Sequence, residues 1–165
     1  MRGNGGGNTP RRLIGLLQGS RGGRSLDVEK STLSSDRLGF LAGLRSSGAD
    51  DRFVGGLVIL ADHRCGSACE DFVAPFTDTP HALVVGDTTW GSTGQPKFLD
   101  LKNGMQFQVS ARRYRRANGL PFEGAGLPPH IVVPLTASDL RAGKDATLER
   151  ALAEIRAGRA PRAPH

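Results

Sequence analysis

Aromatic residues are scarce in this sequence, forming 5% of its 165 residues with a single Trp and a single Tyr. Any core is therefore built mainly from Val, Leu, Ile and Ala, within a hydrophobic fraction of 38%. No apolar run approaches the ~20 residues that a membrane-spanning helix needs. The opening Met1-Arg2-Gly3-Asn4 has no apolar stretch behind its charge of the kind a secretory leader carries, and no membrane association is expected for this chain. Only two cysteines, Cys65 and Cys69, and four histidines are present. Without a second cysteine pair or a matching His spacing they make no metal pattern, and Asp, Glu and His nowhere gather at ligand spacing. No metal or cofactor is expected.

Acidic residues are outnumbered: 22 Lys and Arg against 16 Asp and Glu leave a net charge of +6. The excess is spread along the chain except at Arg112-Arg113-Tyr114-Arg115-Arg116. One aromatic among four arginines is too sparse an interleaving for stacked bases. The cluster reads as a solvated strand end, and no nucleic-acid partner is expected.

What the sequence has in excess is glycine, 23 residues, which marks tight turns and close backbone approaches. The length suits one domain that buries roughly two thirds of its unfolded surface. Residues 2–8 form a glycine-rich loop, followed by a short helix over 10–18. Such loops usually follow a strand in open α/β sheets; no residues precede this one to supply it, so the domain reads as cut at its N-terminus. Residues 19–35 read as a polar loop, and Asp36 caps an expected helix to about Arg45.

The continuous apolar run Val54–Ala61 predicts a strand buried on both faces. A turn at 62–66 leads into a helix over 68–76, then a second buried strand at Leu83–Val85. Two alternating segments, Lys97–Leu101 and Met105–Tyr114, flank Asn103-Gly104 and predict a hairpin. Residues 117–130 are too rich in Gly and Pro for regular structure, and Ile131–Val133 is a short strand. A last helix from about Asp145 to Ala157 would bury Leu148, Ala151, Leu152 and Ile155. Residues 1–158 then make one domain, and 159–165 a disordered tail. The order αα-β-α-β-ββ-β-α gives an α/β class with mixed strand pairing.

Chemistry concentrates in Cys65-Gly66-Ser67-Ala68-Cys69-Glu70, which joins a buried strand to a helix start. Ser67 would sit at the carboxyl end of the strand and at the positive end of the helix, with the Ala68 N–H beside it. An acyl-transfer nucleophile needs both an exposed hydroxyl and donors for the oxyanion. A plain helix N-cap is the competing reading, since Ser caps helices very commonly.

Four segments in order resemble the C-terminal processing (tail-specific) and tricorn-core serine peptidases. Arg2–Gly7 resembles that family's Arg-Gly-Asn-x-Gly-Gly loop, and Gly66-Ser67-Ala68-Cys69-Glu70 its Gly-Ser-Ala-x-Glu nucleophile segment. Val85–Gly91 is similar to its Val-Gly-Glu-x-Thr-aromatic-Gly turn. Gly126-Leu127-Pro128-Pro129-His130-Ile131 is similar to its Gly-Ile-x-Pro-Asp-Ile ending, with His130 in place of Asp. The resemblance implies a crotonase/ClpP-like mixed sheet with flanking helices, Ser67 as nucleophile, and an oxyanion site from the Ala68 N–H with Gly5 or Gly6. It implies peptide or unfolded-protein substrates and a setting in the bacterial periplasm or cell envelope.

One departure matters. The tail-specific branch uses a Ser–Lys dyad, but its lysine position is here Ser92, and Lys97 begins an alternating strand. The tricorn-like branch uses His, Ser and Glu instead; Glu123 stands where its glutamate lies, while its histidine comes from a region upstream of this chain. His63, four residues before Ser67, is the local candidate base. A chain lacking its base would be an inactive peptide-binding pseudo-peptidase, which is the alternative function. A nucleotide- or acyl-CoA-binding enzyme using the glycine loop is a weaker one, because no Lys-Ser/Thr follows. Cys65 and Cys69 read either as a disulfide stiffening the turn of an exported protein or as small buried apolar side chains.

Overall fold

The computed structural model of the chain describes residues 1–4, 13–14, 17, 26–30, 53, 55–116 and 118–162. Along the chain it places β1 (Leu26–Lys30), β2 (Val58–Ala61), α1 (Ala68–Thr77), β3 (Leu83–Gly86), β4 (Lys97–Asp100), β5 (Gln106–Val109), β6 (Arg112–Arg116), β7 (Ile131–Val132), α2 (Ala137–Arg141) and α3 (Ala146–Arg156). The expected helix over 36–45 lies outside the described residues. Of the helix over 10–18, Leu13, Ile14 and Leu17 are described and are helical.

Short apolar segments rich in Val and Leu make the central sheet, in the order β2-β3-β7. Val58 to Ala61 run parallel to Leu83 to Gly86, and Val85 and Gly86 pair in parallel with Ile131 and Val132. Parallel neighbours need a crossover, and α1 supplies it between β2 and β3. Its flanks are covered almost all round, with Phe72, Val73 and Phe76 packed into the core beside Ile59 and Val84. Each such side chain contributes about 1.5–3 kcal/mol on burial. The α/β class with mixed pairing is as expected. β2 itself starts later than the apolar run: Gly56 bridges Arg162 instead, and the Leu57 N–H donates to the Pro161 carbonyl at 3.0 Å. The chain beyond α3, read from sequence as a disordered tail from residue 159, is thus engaged as far as Arg162.

Among the described residues there are also two antiparallel ribbons, separate from this sheet. Lys97 to Asp100 pair with Val109 to Gln106 around the Asn103-Gly104 turn, as the alternation predicts. The second segment is broken where a single strand was expected. At Ser110 the chain leaves the hairpin, held by the Gly94 carbonyl, which accepts from the N–H groups of Ala111 at 2.9 Å and Arg112 at 3.0 Å. β6 then pairs with β1, Leu26 opposite Arg116 and Lys30 opposite Arg112. This corrects the reading of 19–35 as loop, and it makes the arginine cluster part of a paired strand. Arg116 is tied further by a bidentate ion pair to Asp78.

The last helix is turned differently from expectation. α3 packs on β2 and β3 with Thr147, Ala151 and Glu154 inward, while Leu148, Leu152 and Ile155 are exposed. The inward set is the expected stripe shifted by one residue, a rotation of about 100° on a helix of 3.6 residues per turn. Two attachments set that rotation. Arg2 makes a bidentate ion pair with Asp145, at 2.8 and 2.6 Å, and Arg150 and Arg159 both donate to the buried Glu154 carboxylate, at 2.7 and 2.5 Å. A cavity of about 570 Å³ runs along β2, lined by Met1, Leu13, Leu17, Leu57, Leu60 and Phe72 among others. No helix among the described residues is long and apolar enough to cross a membrane.

Candidate active site

The chain leaves β2 at Ala61, turns at 62–66 and enters α1 at Ala68. That turn is pinned from several sides. Asp62 accepts from the Gly3 N–H at 3.1 Å and from the Arg64 N–H at 3.0 Å, and its other oxygen takes the Arg64 guanidinium at 3.0 Å. Burial pushes the Asp62 carboxyl upward, but the donors from Gly3 and Arg64 outweigh it and hold it below its usual value. The Gly66 N–H donates to the Asn4 carbonyl at 3.1 Å, the Ser67 N–H to the Ser92 carbonyl at 2.7 Å, and the Trp90 N–H to the Cys65 carbonyl at 3.0 Å. Cys65 and Cys69, both fully buried, form a disulfide that spans Ser67. Of the two readings of these cysteines, the structure contains the disulfide.

Within this frame Ser67 stands at φ 50° and ψ −119°, and its side chain makes no capping hydrogen bond to α1. A serine with positive φ outside a glycine position is strained. The strained residue closes the turn between strand and helix, the place where a strand–turn–helix hydrolase carries its nucleophile. Among the described residues the Ala68 N–H has no acceptor, so a helix-terminal donor is left open beside the Ser67 hydroxyl.

The buried Glu70, one turn into α1, organises the facing loop. One carboxylate oxygen accepts from the Thr89 hydroxyl at 2.5 Å and the Gly91 N–H at 2.6 Å; the other accepts from the Ser92 N–H at 2.8 Å. The Thr89 hydroxyl oxygen in turn accepts from the Leu127 N–H at 2.8 Å. Loops 88–93 and 122–127 therefore lie backbone against backbone. Glycine is required there: at Gly91, φ 81°, an added Cβ would lie 2.6 Å from the Gly126 nitrogen, and at Gly126, φ 76°, one would lie 2.2 Å from the Thr89 oxygen. This contact brings Glu123 to the site, where its carboxylate accepts from the Thr93 N–H at 3.0 Å. Thr93 is buried and its hydroxyl donates to Asp71 at 2.8 Å.

The described parts of the four sequence segments thus meet around one strand–turn–helix junction. Residues 1–133 match peptidase family S41.

The chain belongs to that family.

Solved structures agree on the S41 fold. A protein from Parabacteroides merdae ATCC 43184 superposes with a TM-score of 0.71 at 24% identity, over 94% of this chain and 50% of that one. The tricorn protease gives 0.64 at 18% identity, over 94% of this chain and 14% of that one. The photosystem II D1 C-terminal processing protease gives 0.57 at 21%, over 81% of this chain and 33% of that one. The chain spans about half the length of the Parabacteroides protein. None of the curated protein sequences matches it. The mixed α/β architecture, with its parallel sheet and flanking helices, is the crotonase/ClpP-like fold that these S41 structures share.

In this S41 frame the expected residues fall as follows. Ser67, Ala68 and Glu123 share the junction, Glu123 reaching it through Thr93. Gly5 and Gly6 lie outside the described residues; the head of their loop, Asn4, is seated on Gly66. His63 is exposed on the 62–64 turn and makes no hydrogen bond to Ser67 or Glu123. Ser92 occupies the lysine position with its N–H turned to Glu70. His130 takes the place of an aspartate by pairing with β3 twice: its N–H donates to the Val84 carbonyl at 2.9 Å, and its Nδ1 accepts from the Val84 N–H at 2.9 Å. Glu70, Thr89 and Thr93 received no role from sequence. An acidic residue within an otherwise apolar helix face was the available signal for Glu70. Among the described residues no group of three His, Cys, Asp or Glu side chains is placed to hold a metal ion.

Proposed function

We propose that this S41 chain carries the nucleophile half of a serine peptidase that cleaves peptide bonds through an acyl-enzyme on Ser67. The observation that carries the reading is the uncapped, positive-φ conformation of Ser67 at the mouth of α1. In the reaction the Ser67 hydroxyl oxygen attacks the carbonyl carbon of the scissile bond while a base takes the hydroxyl proton. The carbonyl oxygen becomes an oxyanion held by the Ala68 N–H and an N–H of the Gly5–Gly6 loop. Collapse of the tetrahedral species breaks the C–N bond, and the base returns its proton to the leaving amine. Water then attacks the ester on Ser67 and releases the acid. Glu123 orients the base, in the arrangement of the tricorn-like branch. Peptides and unfolded proteins are the substrates.

A second reading has its own support. No His or Lys among the described residues is hydrogen-bonded to the Ser67 hydroxyl, so the junction would bind peptide without cleaving it. Proton transfer by a positioned base is worth about 10²–10⁴ in rate, and added imidazole can stand in for a missing one. Fluorophosphonate labelling of the purified chain, with and without imidazole and with Ser67→Ala as control, separates the two readings. Labelling of Ser67 that imidazole accelerates is the expected result and fits a base supplied from outside the described residues. A folded protein that stays unlabelled in both conditions leaves the peptide-binding reading.

A further inference from the structure

The exposed stripe of α3 fits a second copy of the same helix. Leu148, Leu152 and Ile155 are 42%, 37% and 48% exposed, and their spacing of four and then three residues is that of a coiled-coil seam. The inward face of α3 is already occupied by Thr147, Ala151 and Glu154, so the stripe lies beside the packed face, facing outward. Two charges border it on its far side from the sheet, one at each end: Glu149 near the start of the helix and Arg156 at its end. Glu149 has only a loose contact with Lys144, 3.4 Å between two half-exposed groups, an interaction of little energy. Arg156 has no ion pair among the described residues.

We propose that α3 is a self-association surface, through which two copies of this chain pair with their α3 helices antiparallel about a two-fold axis at Leu152. Such an axis sets Leu152 against its own copy and places Leu148 of each chain near Ile155 of the other. It also keeps the charged border of both helices on the same side while reversing their direction. Glu149 of each copy then faces Arg156 of the other, so one patch supplies both halves of two ion pairs. A parallel pairing would put the charged borders of the two helices on opposite sides of the contact and form neither ion pair. The self-complementarity required of a two-fold interface is thus written in one helix. Three helical turns make a contact below the standard size of specific interfaces, so weak, concentration-dependent association is expected.

Sedimentation equilibrium on the full chain from about 1 to 300 µM tests this, with circular dichroism and thermal unfolding confirming that each variant is folded. The wild-type chain is expected to be dimeric at the upper end of that range, and Leu152→Asp monomeric throughout. Arg156→Glu and Glu149→Arg should each weaken association about tenfold or more by opposing like charges. The double variant should recover to within about threefold of wild type. A wild-type chain monomeric at every concentration overturns the proposal. So does a dimer that survives Leu152→Asp, because it must use another surface. Failure of the double charge exchange to restore pairing overturns the antiparallel register.

Discussion

Among the described residues three helices begin at a residue of the capping type, and one of these leaves the cap unmade. Thr136 accepts from the Asp139 N–H at 3.1 Å to start α2, and Asp145 accepts from the Leu148 N–H at 2.9 Å to start α3; both have negative φ. Ser67 at the start of α1 has φ 50°, and its side chain caps none of the first N–H groups. In α2 and α3 the cap side chain takes up the third N–H of the helix. In α1 no side chain caps the first turn, and the torsion of Ser67 is held in place by the disulfide, by Asn4, and by the loop that Glu70 organises. The contrast separates two helix ends closed by their own caps from one left uncapped, and it can be probed one residue at a time.

The largest effect is expected at Glu70. Replacing it with Ala leaves the Thr89 hydroxyl and the Gly91 and Ser92 N–H groups without their acceptor, each worth about 1–3 kcal/mol when buried. A loss of about 3 kcal/mol or more in urea unfolding is expected, with Ser67 labelling lost under conditions where the protein is still folded. Loss of stability with labelling unchanged would mean that Glu70 does not shape the site. Removing the Cys65–Cys69 bridge as a double Ala variant should cost about 2 kcal/mol for so short a loop and slow labelling, since Ser67 lies inside that loop.

Asp145→Ala breaks the cap of α3 and the ion pair with Arg2. About 1–2 kcal/mol should be lost with little change in the intrinsic labelling rate of Ser67, the opposite signature to Glu70. The smallest effect is in acid. Ion pairs with Arg159 and then Arg150 pull the Glu154 carboxyl from its ordinary 4.5 down to about 2. A lowered folded-state value stabilises above the unfolded value, so this contribution should fade as pH drops from about 4.5 to about 2. Glu154→Gln should flatten that part of the acid unfolding curve.

Much of the site could be read from the residue order because its pieces are local. The buried run before Ser67, the glycines at 91, 124 and 126, and the Asn103-Gly104 hairpin each carry their own backbone signal. The features that escaped depend on distant partners. Glu70 finds Thr89, Gly91 and Ser92 some twenty positions away, and nothing near it in sequence says so. β1 does alternate, Leu26-Asp27-Val28-Glu29-Lys30, but its Gly- and Ser-rich surroundings hide a strand whose partner is β6. The inward face of α3 was misread by one residue because small side chains, Thr147 and Ala151, allow the close approach to the sheet, while the larger Leu and Ile stay outside. The torsion of Ser67 is set by the contacts that close around it and has no local signature beyond the Gly before it.

Ser67→Gly addresses the central claim most directly, measured by chemical denaturation together with fluorophosphonate labelling. Glycine adopts the observed torsions without penalty, so the account predicts a variant more stable than wild type by about 1 kcal/mol and wholly unlabelled. An ordinary cap would instead lose a few tenths of a kcal/mol on the same change. A less stable Ser67→Gly variant would contradict the account, because Ser67 would then be holding the helix together instead of standing strained at its open end.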